Sequence, residues 1–268
     1  MKNNFSISLI QSEIIWERVE DNREHFGKLI MACPDGTDLI ILPEMFSTGF
    51  SMNAQQIAEK YSENMPTIKW MKEASARKNA CICGSVSVSE NEEYYNRLIW
   101  VQPNGLIFTY DKRHLFSFAG EQNHYKNGNK RLIVEWQGWK ICPLICYDLR
   151  FPVWSRNALT ENGADYDLLI YVANWPEIRR SPWEKLLYAR AIENQAYLAG
   201  VNRVGADGNG HSYSGDSVIL NPRGEVVNSA MKGEEKIISA SLSMSELVDF
   251  RSKFPVLSDA DTFRINCD

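Results

Sequence analysis

The residues best suited to chemistry are a glutamate, a lysine and a cysteine, each of which follows an apolar stretch of the chain. Glu44 ends DLIILPE, Lys112 follows LIFTYD, and Cys146 ends WKICPLIC. A thiolate attacks a carbonyl or nitrile carbon, while a carboxylate takes the thiol proton, passes it to a leaving amine and later activates water. A lysine ammonium stabilises the oxyanion that develops. These residue types predict hydrolysis through a cysteine nucleophile.

The stretch 139–152 predicts that Cys146 lies on a turn between a buried strand and a helix. The run before it is short, apolar and rich in β-branched residues, and Pro152 suits the first turn of a helix. On such a turn the sulfur lies near backbone N–H groups and the positive end of the helix dipole, so we expect a shift toward thiolate. The backbone N–H of Tyr147 is expected to join Lys112 in binding the oxyanion.

Hydrophobic periodicity predicts a mixed α/β fold in which helices alternate with strands. No linker or repeat divides the chain, so we expect a single domain spanning residues 1–268. A helix is predicted to follow Cys146 and to end near 162–163, and a capping box at Ser181–Glu184 predicts the start of another helix. Ser243 is predicted to cap a short C-terminal helix. The main strands are predicted at 5–10, 38–44, 80–88, 94–101, 106–110, 132–136, 140–145, 167–173, 196–204 and 236–242.

Composition excludes several classes of function. The 268 residues are 44% hydrophobic and 24% charged, and the net charge of −5 argues against nonspecific nucleic-acid binding. Uncharged runs are too short to span a bilayer, and the N-terminus resembles a strand rather than a signal peptide, which predicts a cytoplasmic, reducing location. The cysteines and histidines lack zinc-site spacing, so neither a disulfide framework, a metal nor a cofactor is expected.

Three stretches resemble, in order, the signature segments of the nitrilase, or carbon–nitrogen hydrolase, superfamily: LPEMFSTGF (42–50), YDKRHLF (110–116) and ICYDLRFPVW (145–154). The resemblance implies that Glu44, Lys112 and Cys146 are catalytic. It also implies that Glu121, in FAGEQNHY, supports them by positioning the lysine and the substrate. The implied fold is a nitrilase-like αββα sandwich, two mixed β-sheets flanked by helices, and the implied assembly is a homodimer or a higher homo-oligomer.

Within the superfamily, CYDLRFP, HLFSFAGE and ARAIENQAY (189–197) resemble the ω-amidases, which hydrolyse the terminal amide of α-keto dicarboxylic monoamides such as α-ketoglutaramate. True nitrilases typically place Trp and Glu after the nucleophile, whereas this chain has Tyr147 and Asp148, which disfavours nitriles. The implied partners are a small amide substrate and water, with no nucleic acid and no membrane. Hydrolysis of N-carbamoyl amides or of other small aliphatic amides uses the same chemistry and is the alternative.

A substrate of this kind carries a distal carboxylate, so the pocket needs a cation. Arg179 and Arg180 follow a strand end and are candidates, although their pattern is equally typical of solvated surface arginines. Trp175 is expected to form a pocket wall, and Tyr147 is expected to contact the substrate. Arg150 is expected to brace the turn by pairing with a carboxylate.

Three other functions compete with this interpretation. A cysteine–histidine enzyme would need His114, the only histidine near a motif, as its base. A redox role would need a resolving thiol, and Cys142 lies about 13 Å from Cys146 along a strand, too far for a disulfide without rearrangement. A catalytically silent scaffold would have lost at least one member of the Glu–Lys–Cys set, and all are present.

Overall fold

The computed structural model describes residues 2–161 and 163–266, most of which belong to mixed β-sheets and the helices that cover them. The helices are α1 (Val19–Ala32), α2 (Ala54–Ile57), α3 (Pro66–Lys78), α4 (Pro152–Ser155), α5 (Arg180–Asn194) and α6 (Met244–Lys253). The strands are β1 (Asn4–Gln11), β2 (Leu39–Ile41), β3 (Glu59–Lys60), β4 (Cys81–Glu90), β5 (Glu93–Val101), β6 (Ile107–Asp111), β7 (Val134–Trp136), β8 (Trp139–Ile145), β9 (Leu159–Thr160), β10 (Gly163–Ala164), β11 (Leu168–Ala173), β12 (Tyr197–Asn202), β13 (Val204–Ala206), β14 (Ser212–Ser214), β15 (Val218–Leu220), β16 (Val226–Ser229) and β17 (Lys236–Ser243).

Two large sheets form the middle of the molecule. The first has the order β17-β1-β2-β4-β5-β6 with β3 beside β4, and the second has the order β16-β15-β12-β11-β8-β7. Strands β1, β2 and β4 run parallel to one another in the first sheet, as do β8, β11 and β12 in the second. Parallel strands are buried on both faces, which explains why the sequences of β2 and β11 are continuously apolar.

The two sheets pack face to face through a single apolar core. Phe5 and Trp100 of the first sheet share this core with Trp139 of the second, and the rings of Phe5 and Trp139 stack at 5.3 Å. On the outer side of the first sheet, α1 and α3 bury Phe26 and Met71 in a separate cluster. Helix α5 covers the second sheet. The predicted αββα sandwich is confirmed.

Helix α5 approaches the second sheet closely because one position of β12 is a glycine. A Cβ on Gly200 would lie 2.7 Å from Leu187 Cδ1 and 3.2 Å from the Trp183 ring, both on α5. Any larger residue at position 200 would therefore push α5 away from the sheet. Since α5 follows the loop that contains Trp175, this contact also fixes one wall of the cavity described below.

The predicted helix after Cys146 is much shorter than expected. The chain forms a 3-10 turn over Cys146–Arg150, followed by the single helical turn α4. Phe151 separates them with an extended ψ of 87°, because a residue before proline is driven out of the helical region. Gly163, with φ +85°, lies in the β9–β10 hairpin and does not cap a helix, while Asn162 lies outside the described residues.

The predicted capping box at Ser181–Glu184 is wrong. Helix α5 begins at Arg180 with Arg179 as its N-cap, and no side chain caps it. A 3-10 turn over Glu177–Arg179 leads directly into the helix, so Ser181 lies within the first turn. By contrast, Ser243 caps α6 as predicted, because its hydroxyl accepts a hydrogen bond from the Glu246 N–H.

The described cysteines are all free and buried: Cys33, Cys81, Cys83, Cys142 and Cys146. Cys267 lies outside the described residues. Within residues 2–161 and 163–266, every helix is too short or too polar to cross a membrane.

Candidate active site

Lys112 lies at the centre of a buried charged cluster at the ends of several strands. Its ammonium donates to Glu44 Oε1 at 2.9 Å and to both oxygens of Glu121 at 3.1 and 2.9 Å. All three side chains are fully buried. Glu44 follows β2 and Lys112 follows β6, so the first sheet positions both. The structure therefore brings the predicted lysine and both predicted glutamates together.

The charges in this cluster stabilise one another away from water. Burial by itself would lower the pKa of Lys112, but the carboxylates of Glu121 and Glu44 more than reverse this effect, so the pKa is raised and the ammonium stays protonated. Burial raises the pKa of Glu121, and the Lys112 ammonium opposes that rise. A buried cation flanked by two carboxylates is a rigid, preorganised charge.

Both oxygens of Glu44 are held by neighbouring donors. Oε1 accepts from Lys112 and from Asn96 Nδ2 at 2.8 Å, and Oε2 accepts from the backbone N–H of Asn174 at 2.8 Å. The Asn174 side chain also donates to the backbone carbonyl of Glu44. Because Asn174 follows β11, the second sheet fixes the carboxylate that the first sheet supplies.

Cys146 follows β8 on a strained turn. Its φ of +41° is in the left-handed region, which is unusual for a residue with a side chain. The carboxylate of Asp148 stabilises the turn by accepting from the Ile145 N–H at 3.0 Å. Asp148 also accepts from Tyr110 Oη at 2.7 Å and from the His114 N–H at 3.0 Å. Since Tyr110 and His114 lie on either side of Lys112 in sequence, Asp148 ties the cysteine turn to the lysine loop.

The expected shift of Cys146 toward thiolate is not found. Burial raises the pKa of this thiol well above its ordinary value, and the adjacent Glu44 carboxylate raises it further. The Lys112 ammonium lowers the pKa of this thiol, but by less than burial and Glu44 raise it. The helix that was expected to favour the thiolate is only a 3-10 turn, whose dipole is small. The raised pKa favours the protonated thiol at neutral pH.

A cavity of about 390 Å³ opens above this cluster and is lined by Glu44, Lys112 and Cys146. This volume suits a small organic molecule. Tyr147 and Trp175, both predicted to contact substrate, also line it, together with Phe50, Met52, Phe116, Phe118, Ala119, Arg150, Asn174, Pro176, Arg179, Asp207, Asn209, His211 and Tyr213.

Of the two arginines predicted to bind a substrate carboxylate, only one lines the cavity. Arg179 lines the cavity, with its guanidinium 4.9 Å from the Phe118 ring. Arg180 does not line it, and is held instead by Asp216 and Glu184 at 2.8 and 2.9 Å. Arg150, which was expected to pair with a carboxylate, lies 4.9 Å above the Trp175 ring in the cavity wall. Neither Arg150 nor Arg179 has an acidic partner among the described residues.

A model of the carbon–nitrogen hydrolase family matches residues 6–252. The chain belongs to the carbon–nitrogen hydrolase family. It is also 48% identical to the omega-amidase YafV of Escherichia coli strain K12, over 97% of this chain and 98% of that protein.

Two further relatives cover nearly the whole of this carbon–nitrogen hydrolase. The 2-oxoglutaramate amidase of Bacillus subtilis is 31% identical over 95% of this chain and 97% of that protein. A crystal structure of a carbon–nitrogen hydrolase superfamily protein from Xanthomonas campestris, with an arsenic adduct in its active site, has a TM-score of 0.95. That protein is 41% identical, and the match covers 99% of this chain and 100% of that one. The predicted family and fold are thus confirmed.

His114 and Cys142, the residues that the competing interpretations need, do not line the cavity of this carbon–nitrogen hydrolase. His114 Nδ1 lies 2.8 Å from Asp148, and the His114 ring stacks on Phe151 at 3.7 Å. Burial raises the pKa of Cys142 to about 12, which makes it a poor resolving thiol. No cluster of three or more metal-ligating side chains occurs in the described part of the chain.

Sequence reasoning missed two asparagines, Asn96 and Asn174, that hold Glu44. A signal for Asn96 was present in the stretch YYNRLIWV, because Leu98 and Trp100 lie on the same face of β5 and belong to the core between the sheets. A polar residue at an inward-facing position of a strand needs a partner. Asn174 gave no such signal, since the group that holds the Glu44 carboxylate is its backbone N–H, which almost any residue would supply.

Proposed function

We propose that this chain is an ω-amidase that hydrolyses the terminal amide of small α-keto dicarboxylic monoamides, such as α-ketoglutaramate, through a cysteine acyl-enzyme. The observation that carries the proposal is the cavity itself. Its floor holds Cys146 beside a Glu44–Lys112 pair, and its walls hold two arginines without acidic partners. The likeness to an omega-amidase and a 2-oxoglutaramate amidase supports the same substrate class.

In the first half of the reaction, Cys146 Sγ attacks the amide carbon while Glu44 takes the thiol proton. Because burial keeps the thiol protonated at rest, this transfer accompanies the attack. A carbon–sulfur bond forms and the carbonyl oxygen becomes an oxyanion. Glu44 then returns the proton to the amide nitrogen, the carbon–nitrogen bond breaks, and ammonia leaves a thioester on Cys146.

The oxyanion needs donors that are already in place. The Lys112 ammonium is fixed by Glu44 and Glu121, so its positive charge is already in place when the oxyanion develops. The backbone N–H of Tyr147 is the second donor, because a residue in the first turn of a helix has no acceptor for its N–H within that turn. Glu121 acts through Lys112 and is a positioning residue.

The second half of the reaction consumes water. Glu44 takes a proton from the water molecule as its oxygen attacks the thioester carbon, and a carbon–oxygen bond forms. The carbon–sulfur bond then breaks, the proton returns to Cys146 Sγ, and the dicarboxylic acid leaves. One amide and one water thus give one acid and one ammonia, and Glu44 serves both halves.

The distal carboxylate of the substrate would bind Arg150 and Arg179. Each guanidinium lies against an aromatic ring, Trp175 for Arg150 and Phe118 for Arg179, which holds the charge without neutralising it. An anion entering the cavity would supply the acidic partner that the protein does not. Arg180 is excluded from this role because Asp216 and Glu184 already occupy it.

We also propose that residues 1–268 form one domain and that the protein works in the cytoplasm as a homodimer or a higher homo-oligomer. One apolar core connects both sheets, which supports a single domain. Free, buried thiols suit a reducing compartment. Ile192 on α5 and Val226 on β16 are about half exposed, as expected of residues covered by another copy. Light scattering of the purified protein measures the assembly directly.

The test of the proposed function is ammonia release from α-ketoglutaramate, succinamate, an N-carbamoyl amino acid and an aliphatic nitrile, with Cys146→Ala as the blank. We expect fast turnover of the first two alone. Turnover of the carbamoyl compound instead would keep the catalytic set but replace the substrate. Turnover of the nitrile alone would contradict the proposal.

A further inference from the structure

Asn96 contacts more of the charged cluster than any other uncharged residue that the structure describes. It lies on β5 and is fully buried. Its Nδ2 donates to Glu44 Oε1 at 2.8 Å and, in a longer contact, to Glu121 Oε1 at 3.4 Å. Its backbone carbonyl accepts from the Lys112 N–H at 3.0 Å. One neutral residue thus connects both carboxylates and the segment that carries the lysine.

The orientation of the Asn96 amide is fixed by its neighbours. With the amide reversed, its oxygen would lie against the two carboxylates, and acceptors would face acceptors. In the observed orientation Oδ1 is buried without a hydrogen-bond partner among the described residues. Leaving such an atom unpaired costs about 1–3 kcal/mol. The fold accepts this cost in order to direct the N–H groups at the carboxylates.

The donors around Glu44 are unequal on its two oxygens. Oε1 accepts from Asn96 and Lys112, which uses both of its lone pairs. Oε2 accepts the Asn174 N–H, which leaves it one lone pair, and the Cys146 thiol also hydrogen-bonds the Glu44 side chain. Without Asn96, Oε1 would also have an open lone pair, and the carboxylate could exchange protons through either oxygen.

We propose that Asn96 is a positioning residue that saturates Oε1 of Glu44 and makes Oε2 the oxygen that carries the proton. This inference rests on the proposed acyl-enzyme mechanism, in which Glu44 exchanges a proton with the thiol, the leaving amine and water in turn. A single open lone pair gives all these transfers the same geometry. A neutral donor suits the role for two reasons. A second cation would weaken Glu44 as a base. An anion would place a third negative charge beside Glu44 and Glu121, against the single positive charge of Lys112.

The test compares Asn96→Leu and Asn96→Asp with the wild type on whichever amide the wild type hydrolyses. The matched control is Asn157→Leu, since Asn157 is also buried and donates two hydrogen bonds at 3.0 Å, but does not line the cavity. Steady-state kcat and KM are measured across pH, and thermal unfolding is recorded for every variant.

We expect Asn96→Leu to lower kcat by roughly 10–100-fold, part of the 10²–10⁴ that general acid–base catalysis supplies, with KM within about threefold. Asn96→Asp should approach wild-type activity only at low pH. There its protonated carboxyl donates one O–H, whereas the ionised form places a third carboxylate beside Glu44 and Glu121, against the single cation of Lys112. The control should lower the melting temperature and leave kcat unchanged.

Three results would overturn the inference: an unchanged kcat in Asn96→Leu, a fall in kcat equalled by the Asn157→Leu control, or an Asn96→Asp activity ratio that does not rise as pH falls. If Asn96→Leu fails to fold, the isosteric Asn96→Asp variant still decides through its pH trend. Failure of the proposed function is separate, because it is seen as absent wild-type turnover of the ω-amides before any variant is made.

Discussion

The floor and the mouth of the cavity treat charge in opposite ways. On the floor, every charge has a partner: Lys112 contacts Glu44 and Glu121, and all three are fully buried. The part of the wall that holds the partly exposed Arg150 and Arg179 is called the mouth here; both lie against aromatic rings and have no acidic partner among the described residues. Buried charges must be paired in the folded protein, whereas partly exposed charges need not be.

This difference separates two tasks. The hydrogen bonds of the floor are already in place without a ligand, so under the proposed mechanism its residues would stabilise the transition state. The mouth has two arginines without acidic partners, so under the proposed function they would select a substrate that carries a carboxylate. Substitutions on the floor should therefore change kcat, and substitutions at the mouth should change KM.

The largest effect is expected from Cys146→Ala, which removes the proposed nucleophile from the floor. Turnover of succinamate should fall to the background rate, because no thioester can form. Ammonia release measures this, and trapping of the acyl-enzyme by mass spectrometry should fail in the variant. The melting temperature should stay near that of the wild type, since alanine fits the same space; residual turnover above background would refute the assigned nucleophile.

Lys112→Met tests whether pairing on the floor serves catalysis or stability. Losing a preorganised oxyanion donor should lower kcat by about 10²–10³-fold, and leaving two carboxylates buried without a cation should destabilise the fold by about 3–5 kcal/mol. Adding Glu121→Gln should recover part of the stability without recovering the rate. Steady-state kinetics measure kcat, and urea unfolding measures the free energy of unfolding. If the double variant recovered kcat as well as stability, the oxyanion role of Lys112 would be contradicted.

Arg150→Leu and Arg179→Leu test the mouth. Each should raise KM for succinamate by roughly 10–100-fold with little change in kcat, because a hydrogen bond to a charged group contributes about 1.5–3 kcal/mol. Arg180→Leu is the matched control and should leave KM unchanged, since its guanidinium is held by Asp216 and Glu184. Propionamide lacks the carboxylate, so its KM should differ little between the variants and the wild type.

The smallest expected effect is a loss of stability in alkali caused by buried thiols outside the cavity. Burial raises the pKa of Cys33 to about 11. The folded protein therefore holds this proton more tightly than the unfolded chain, so the contribution is complete below about pH 8.5 and is lost as pH rises toward 11. Cys33→Ala should lessen the fall in melting temperature over this interval by several degrees, measured by calorimetry; an unchanged fall would exclude this thiol.

The sequence predicted the floor better than the mouth. Glu44, Lys112 and Cys146 each end an apolar strand, and strand ends can be read from hydrophobic patterns. The two adjacent arginines could not be separated in this way, because one step along a helical turn rotates a side chain by about 100° and sends Arg179 and Arg180 to different surroundings. Arg150 was assigned a carboxylate that the folded chain does not bring to it.

Other errors arose where local signals met tertiary constraints. The capping box at Ser181–Glu184 matched its motif, but the preceding 3-10 turn started the helix earlier. The proton affinity of Cys146 could not be inferred from its turn, because burial and the Glu44 carboxylate depend on residues far away in sequence. Asn96 was detectable as an inward-facing polar residue in a strand, but its partners were not.

The two sheets share the site between them, which affects how activity appears during folding. Glu44 and Lys112 extend from one sheet, while Cys146 and Asn174 extend from the other. The first sheet also pairs β1 with β17, which brings the beginning of the chain beside a strand made near its end. A chain in which only one sheet has formed therefore lacks either Cys146 or Glu44 at the site, so under the proposed mechanism turnover in a refolding experiment would report the docking of the two sheets rather than the formation of either one.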